Sequence, residues 1–355
     1  MNVLNQFNSE SVNLIISDYP ERVSPSEKNH GIAWYTHETT VPIAKRTNSR
    51  FVILAEKGHN TKPELYSNKR ILVLRVFDQK HHSLYPTILK WLITFSKIKN
   101  VFIHSEFCTS GGIKNMVLLL PFLILIKLSG RRITFFEHNV ISNFDSLAAH
   151  FNLKRNSLKL KIYNYGIVWY YRLLGTLVDR IVVMNEALKK RLEQHVDRTK
   201  IACFPFWIHS KRYRMSYQQS REKLNIRKKE FLIITFGFIT WYKGTDWLID
   251  QIKNNNRSVK NKKIRLILVG GQAYSLKDKS YYRKYYNDQL AKTDRHIKIT
   301  GFVPESKVGL YFKAADLVVF PYRGFFGPSG TLNYAVSFNK PFLLSFSFII
   351  LSDKS

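Results

Sequence analysis

The residues best suited to chemistry in this sequence form a small-residue loop directly before a helix. The loop is Gly327-Pro328-Ser329-Gly330-Thr331, and helical spacing follows over residues 332–338. The first N–H groups of a helix lack partners within the helix and carry a partial positive charge. A phosphate can therefore bind at such a helix start with few side chains in its way. An ordinary capped helix after a glycine-rich turn is the alternative, and the loop alone does not decide between the two.

Two further side chains lie just after predicted strands, where ligands of open α/β sheets bind. Lys243 stands in the loop after the apolar strand 231–236, where a lysine can meet a phosphate as a point charge. His138 follows the strand 133–136 and can orient a sugar or move a proton near neutral pH. A surface lysine and a structural histidine are the alternatives. Gly31 precedes an apolar helical stretch and marks either a simple turn or a close approach to a ligand.

Strand and helix patterns alternate along the whole chain. This alternation predicts α/β structure with open, mostly parallel sheets and helices on both faces. At 355 residues the chain is long enough for two domains, and the irregular, basic stretch 207–220 is the predicted linker between domains 1–206 and 221–355. The predicted strands are residues 12–17, 51–55, 71–76, 101–104, 133–136, 178–184, 231–236, 264–269, 297–300 and 316–320, and residues 201–205 close the first half.

A formal net charge of +31 indicates an anionic partner, which could be a membrane surface, a nucleic acid or a phosphorylated ligand.

The longest apolar run, residues 116–126, is shorter than the roughly 20 residues of a membrane span, so it predicts a buried or an interfacial helix. Residues 159–174 mix Lys and Arg with Tyr and Trp, which is typical of a membrane-interface helix or of a solvated helix with aromatic core contacts. Only Cys108 and Cys203 are present, which favours a reducing compartment.

Four segments of the second half resemble the nucleotide-sugar domain of family 4 (group 1) glycosyltransferases. They are FGFITWYKGTDWLI (236–249), IRLILVGG (264–271), ITGFVPESKVGLYFKAADLVVFPYR (299–323) and SGTLNYAVSFNKP (329–341). The first half is similar more faintly, through NHGIAWYT (29–36), RRITFFEHNV (131–140) and VDRIVVMNEALKKRL (178–192). The resemblance implies the GT-B fold, in which two Rossmann-like domains face each other across a cleft, with the acceptor in the first and the donor in the second.

The resemblance also implies roles for individual residues. Lys243 would hold the donor diphosphate, Phe302 and Val303 would contact the base, and His138 would lie near the transferred sugar. Asn139 and Gly31 join His138 on the acceptor side. The implied donor-binding residues are Gly237, Lys243, Gly270, Phe302, Val303, Arg323, Gly327, Ser329, Gly330, Thr331 and Tyr334.

The sequence departs from the family pattern at three places. Phe326 and Tyr334 stand where the family usually carries two glutamates that contact the donor sugar and the ribose, although Tyr334 can still use its hydroxyl group. Phe238 replaces an arginine that often contacts the donor. Fourteen residues follow Pro341, fewer than the fold normally needs, so the second domain is expected to be incomplete and the chain truncated.

These features together predict a cytoplasmic glycosyltransferase, peripheral on the inner face of a membrane. It would transfer a hexosyl group from a nucleotide-diphosphate sugar to a glycan or lipid-linked acceptor, and the resemblance implies that the configuration is retained. The resemblance implies no required metal and no cofactor, which agrees with a sequence that has no Asp-x-Asp pair or His/Cys cluster. One alternative is an inactive GT-B remnant that acts as a binding protein, which Phe326 and the short end favour. The other is a nucleic-acid-binding protein, which only the charge favours, so no nucleic acid is expected.

Overall fold

Two sheets of mostly parallel strands organise the computed structural model. Contacts divide the chain into two units, Met1–Ser142 with Asn164–Phe206, and Asn143–Tyr163 with Trp207–Ser355. The structure describes residues 3–21, 31–79, 81–105, 113–145, 148, 153–154, 156–205, 213–255, 258–259, 261–273, 276–324 and 330–345.

The first sheet has the strand order β3-β4-β2-β1-β5-β6-β7-β8, parallel except for β3, which pairs with β4 in the antiparallel sense. Its strands are β1 (Val12–Ile16), β2 (Arg50–Glu56), β3 (Glu64–Tyr66), β4 (Ile71–Phe77), β5 (Asn100–Ser105), β6 (Arg132–Glu137), β7 (Arg180–Val183) and β8 (Ile201–Cys203). The helices of this part of the chain are α1 (Val3–Phe7), α2 (Gly31–Thr47), α3 (Leu84–Thr94), α4 (Ile113–Leu128), α5 (Leu158–Leu177) and α6 (Glu186–Leu192). Within the described residues, no helix is both long and apolar enough to cross a membrane.

The second sheet has the order β10-β11-β9-β13-β14, with β12 paired to β11. Its strands are β9 (Glu230–Phe236), β10 (Ser258–Val259), β11 (Lys262–Val269), β12 (Ile297–Ile299), β13 (Leu317–Phe320) and β14 (Phe342–Leu344). They are parallel except for the β10–β11 pair. The helices are α7 (Tyr217–Lys223), α8 (Thr245–Asn254), α9 (Ser280–Ala291), α10 (Glu305–Ala314) and α11 (Gly330–Ser337).

Alternate residues of the central strands supply two separate cores, one on each face of the second sheet. Leu232 and Ile234 of β9 pack into one core, whereas Ile233 packs into the other. Successive side chains of a strand point to opposite faces, so a strand that is apolar at every position is covered on both. The predicted α/β class with parallel sheets is thus confirmed.

The structure adds a helix that the apolar pattern does not reveal. Helix α7 covers Tyr217–Lys223 and so overlaps the end of the stretch 207–220, which was expected to be irregular. Its buried residues are Ser220 and Arg221. Because both are polar, the sequence of this helix lacks the apolar spacing from which a helix is predicted. A capping box between Ser216 and Gln219 starts the helix. Residues 207–212 lie outside the described part, and the linker stays a prediction.

A partly buried ion pair joins α7 to the amino end of β13. The Nη1 atom of Arg221 lies 2.8 Å from Oδ2 of Asp316, and the Leu232 amide donates to the same oxygen at 2.6 Å. The Tyr217 hydroxyl donates to Oδ1 of Asp316 at 2.6 Å. Arg221 also donates to the carbonyl oxygen of Glu230 at 2.7 Å. The Asp316 carboxylate therefore satisfies donors from a helix and a neighbouring strand at once.

We expect Asp316→Ala to lower the free energy of unfolding of the second unit by about 3 kcal/mol, because Arg221 would keep a buried charge without its carboxylate. Hydrogen–deuterium exchange of the β9 peptide, compared with the wild-type chain, measures this loss. Glu222→Ala, at the exposed neighbour of Arg221, is the control and should change protection little. A loss of less than about 1 kcal/mol for Asp316→Ala would contradict the assignment.

Candidate functional site

Two glycines at the carboxyl edge of the second sheet lie where a side chain does not fit. Gly237 follows β9 with φ of 113°, and a Cβ there would lie 2.4 Å from Nζ of Lys243. Gly270 follows β11 with φ of 155°, and a Cβ there would lie 2.0 Å from the carbonyl oxygen of Gly237. Both backbone conformations and both distances favour glycine. The loops after β9 and β11 therefore meet closely, and Lys243 lies against them.

Lys243, Gly237 and Thr331 converge on one point at this edge. Lys243 is the last residue of a short 3₁₀ helix, Trp241–Lys243, and its Nζ lies 5.8 Å from the centroid of the Tyr322 ring. The Tyr322 hydroxyl and Oγ1 of Thr331 are 2.6 Å apart, and Cγ2 of Thr331 lies 2.9 Å from the Cβ position of Gly237. None of the described carboxylates pairs with Lys243. A cationic side chain and the first turn of α11 thus occupy the same place, which suits a phosphate.

Arg323, one of the predicted donor-binding residues, already has a carboxylate partner. Its guanidinium group makes two bonds to Asp246, from Nη1 and from Nη2, each 2.9 Å long. Nη1 also donates to the carbonyl oxygen of Trp241 at 3.0 Å, and the group lies 5.0 Å from the Trp241 ring centroid. A bidentate Arg–carboxylate pair holds the guanidinium in a fixed orientation. Arg323 therefore holds the loop after β13 against α8, and its contact with the donor stays a prediction.

The turn between β12 and α10 separates its two predicted base contacts. Phe302 has 40% of its side chain exposed, so its ring can accept a stacked ligand. Val303 instead packs against the apolar core of the second unit. Thr300 accepts a hydrogen bond from the Gly270 amide at 3.0 Å, which ties this turn to the loop after β11. Phe302 is therefore the better candidate of the two.

Tyr334 brings a carboxylate to the edge of the site. Its hydroxyl donates a hydrogen bond to Oε2 of Glu305, the first residue of α10. Its ring lies 5.0 Å from that of Phe236, the last residue of β9. Because Tyr334 follows Thr331 by three residues in α11, both side chains lie on the same face of that helix. The position that lacks the expected glutamate is thus next to a glutamate from another helix.

Gly330 and Thr331 open helix α11, as the phosphate-loop prediction requires. Gly327 and Ser329 belong to the same predicted loop but lie outside the described residues. Phe326, at the other expected glutamate position, also lies outside them.

In the first unit, His138 lies beside a second histidine at the ends of neighbouring strands. Nε2 of His138 is 3.2 Å from Nδ1 of His104, the residue before the last of β5. The ring of Tyr35, from α2, meets the His138 ring edge to face at 4.9 Å. Burial lowers the pKa of His138 to about 3. Burial, together with the neighbouring His138, holds the pKa of His104 well below its usual value. Both rings are therefore neutral near pH 7, which favours the orienting role for His138 over proton transfer.

The other two acceptor-side residues flank this pair. Asn139 directly follows His138 and is partly exposed. Gly31 is the exposed first residue of α2, and a Cβ there would meet nothing within 4 Å. The backbone at Gly31 therefore does not require glycine. It precedes Tyr35 by four residues, so it lies on the helix face that carries Tyr35.

Three residues of these sites were not predicted. His104 is the last residue but one of β5, and a polar residue at the carboxyl end of a predicted strand was a usable signal. Glu305 follows the Gly-Phe-Val-Pro turn directly, and its acidic side chain in a helix's first turn was a usable signal. Tyr322 has no local signal. Within the described residues, no three His, Cys, Asp or Glu side chains group closely enough to hold a metal ion.

Comparison with known proteins gives a family for the second half and a fold for the chain. Residues 230–346 match the family model for glycosyl transferases group 1. No curated protein matches the sequence.

Solved structures match nearly the whole chain. HepE from Anabaena in complex with UDP-glucose is 15% identical, with 95% of this chain and 80% of that chain covered and a TM-score of 0.64. Sucrose-phosphate synthase from Thermosynechococcus elongatus is 14% identical, with coverages of 96% and 82% and a TM-score of 0.66. WaaG, a glycosyltransferase involved in lipopolysaccharide biosynthesis, is 14% identical, with coverages of 96% and 84% and a TM-score of 0.61.

At these identities the structural matches bear on the fold, and the family model bears on the second half. Residues 230–346 are thus similar to the group 1 glycosyl transferases, and the chain has the GT-B fold, with two Rossmann-like units.

Proposed function

We propose that this glycosyltransferase moves a hexosyl group from a nucleotide-diphosphate sugar to a glycan or lipid-linked acceptor, with retention of configuration. The observation that carries the proposal is the meeting of Lys243 with Gly237 and with Thr331 at the start of α11. The UDP-glucose bound in the structural neighbour HepE supports a donor of this class. The net charge of +31 supports an enzyme held at the inner face of a membrane, where a lipid-linked acceptor would be found.

The proposed chemistry needs positive charge at the diphosphate. When the bond between the anomeric carbon and the phosphate oxygen breaks, negative charge develops on the leaving nucleoside diphosphate. The ammonium group of Lys243 and the amides of Gly330 and Thr331 would stabilise that charge. Arg323 would contribute indirectly, because its pairing with Asp246 holds the loop after β13 in place.

Glu305 would take part in donor binding as a hydrogen-bond acceptor. A carboxylate accepts well from two vicinal hydroxyl groups, as on a ribose, and the family usually supplies one at the position of Tyr334. Here the Tyr334 hydroxyl donates to Glu305 and so holds that carboxylate on the Thr331 face of α11. Phe302, exposed in the turn directly before α10, would stack on the base.

His138 would orient a sugar hydroxyl on the acceptor side as a neutral hydrogen-bonding group. His104 would act through His138 as a positioning residue, because their ring nitrogens are 3.2 Å apart. Asn139 and Gly31 would lie at the margin of the same subsite.

We expect Lys243→Ala to weaken donor binding by about 10- to 100-fold, since a hydrogen bond to a charged group contributes about 1.5–3 kcal/mol. Titration calorimetry with a panel of nucleotide sugars, beginning with UDP-glucose, measures the effect. Lys228→Ala is the matched control, because Lys228 is exposed and precedes β9 at the opposite edge of the sheet.

Unchanged affinity in Lys243→Ala would defeat the donor-site assignment. If the wild-type chain binds a nucleotide sugar but shows neither transfer nor slow hydrolysis of any donor, it is a binding protein of the GT-B fold and not an enzyme.

We expect Glu305→Gln to weaken binding of a ribonucleoside diphosphate by about tenfold and to leave binding of its 2′,3′-dideoxy counterpart unchanged. Tyr334→Phe should reduce the same preference to a smaller extent, because the carboxylate remains but is less well held. Glu222→Gln, at an exposed glutamate of α7, is the control. The assignment of Glu305 fails if Glu305→Gln discriminates between the two nucleotides as well as the wild-type chain does.

The neutral state of His138 predicts a pH-dependent stability. Between pH 3 and about 6.5 the unfolded chain binds a proton at this residue and the folded chain does not, so stability falls as the pH decreases. Between pH 7 and pH 5, His138→Gln should therefore lose about 2 kcal/mol less stability than the wild-type chain in urea unfolding. His82→Gln, at an exposed histidine, is the matched control. An equal loss in His138→Gln would show that the ring is charged when folded.

A further inference from the structure

Helix α4 and residues 164–177 of α5, which both belong to the first unit, expose large apolar side chains that no described element covers. We call the following eight residues the apolar surface: Val117, Leu118, Ile124, Leu125 and Leu128 of α4, with Tyr165, Trp169 and Leu173 of α5. Leu128 is 79% exposed, Tyr165 is 68% exposed and Trp169 is 44% exposed. Single exposed apolar residues are ordinary in soluble proteins, whereas a contiguous group of this kind marks a contact surface.

The spacing places these residues on one face of each helix. Within α4 and within α5 they recur at intervals of three, four and seven residues, which is the period of a helix face. The opposite faces form the core contacts, since Phe122 and Leu123 of α4 and Leu174 of α5 are buried. Each helix therefore has a buried face that packs in the core and a second, exposed apolar face. Packing of the core does not explain why the exposed face is apolar.

The two helices are neighbours on one face of the first sheet. Helix α4 connects β5 to β6 and α5 precedes β7, and these three parallel strands are adjacent in that order. Right-handed crossovers put both helices on the same side of the sheet. The Nζ atom of Lys127 donates to the carbonyl oxygen of Thr176 at 2.9 Å, which joins the carboxyl-terminal ends of the helices. Their outward faces thus lie on the same side of the sheet and meet at the carboxyl-terminal ends of the helices.

Charge distinguishes among the possible occupants of this surface. Neither helix contains an Asp or a Glu, and together they contain Lys114, Lys127, Lys159, Lys161 and Arg172. The Arg172 guanidinium lies 5.5 Å from the Trp169 ring centroid, so a cation borders the apolar surface. A lipid leaflet with anionic headgroups offers an apolar interior beside negative charge, which complements both features. A second copy of this chain, at a net charge of +31, would instead repel it.

The residue types of the apolar surface and its borders are those typical of the region where lipid headgroups meet acyl chains. Tyr and Trp are enriched where headgroups meet acyl chains, and Arg and Lys can reach back to the headgroups from below. Helix α4 has 16 residues, which is too short for a span of about 20 apolar residues. An interfacial helix needs only one apolar face, which both helices have.

We infer that the apolar surface of α4 and α5 docks the chain onto an anionic membrane, with both helices lying in the interface. The purpose of this docking rests on the proposed function, because a lipid-linked acceptor would be met there. The docking surface itself depends only on the exposed side chains and the charges around them.

Vesicle binding tests the inference on the full chain. The wild-type protein should sediment with vesicles of phosphatidylcholine mixed with phosphatidylglycerol, and much less with phosphatidylcholine alone. Leu125→Glu combined with Trp169→Glu should reduce that partitioning by at least about tenfold, because it buries two charges in the interface. The matched control is Leu290→Glu combined with Trp247→Glu, which changes an exposed Leu and an exposed Trp of the second unit and should bind as the wild type does.

A second measurement avoids variants that fail to fold. Brominated acyl chains should quench part of the tryptophan fluorescence of the wild-type chain, and Trp169→Phe should remove most of that quenching while vesicle binding persists. Absence of quenching, equal loss of binding in the two double variants, or self-association in solution without vesicle binding would each overturn the inference.

UDP-glucose affinity, measured on the same proteins, separates this inference from the proposed function. Donor affinity that survives in Leu125→Glu/Trp169→Glu while vesicle binding is lost supports the docking surface. Surface-dependent vesicle binding by a wild-type chain that binds no nucleotide sugar would also support it, while defeating the proposed function.

Discussion

Close backbone approach at the carboxyl edge of the second sheet is the constraint on which the candidate donor site depends. A Cβ on Gly270 would lie 2.0 Å from the carbonyl oxygen of Gly237, and a Cβ on Gly244 would lie 1.9 Å from that of Pro321. Since no side chain fits at these positions, the loops after β9, β11 and β13 meet through their backbones. This close packing brings Lys243 against Gly237, beside the first turn of α11.

The charged groups at that edge divide into those that hold the loops and one that does not. Arg323 and Asp246 make a bidentate pair that holds the loop after β13 against α8. If the Arg323 guanidinium left this pair to bind a ligand, the carboxylate of Asp246 would lose its cationic partner, which costs stability. Lys243 has no such carboxylate among the described residues, so it is the cation of this edge that a phosphate would meet.

The first unit shows a different balance of charge. His104 and His138 lie at the ends of β5 and β6 as neutral rings, because burial disfavours their protonated forms. Neutral imidazoles suit uncharged hydroxyl groups better than phosphates. On the outer side of the same sheet, α4 and α5 combine exposed apolar residues with Lys and Arg only. The strand ends of this unit are thus suited to uncharged hydroxyl groups, and the outer side of α4 and α5 is suited to apolar and anionic groups.

Local patterns in the sequence were enough to predict the α/β class, the main strands and the positions of Lys243 and His138, because periodicity and the ends of strands are local properties. Local patterns could not predict which side chains pair with each other, because the partners are distant in sequence. Arg323 and Asp246 are 77 residues apart, and His104 and His138 are 34 apart. Helix α7 was missed because its buried residues are polar. The pairing of a charged side chain at the carboxyl edge of the second sheet depends on which loops meet there. Those loops are distant in sequence, and only the folded chain brings them together.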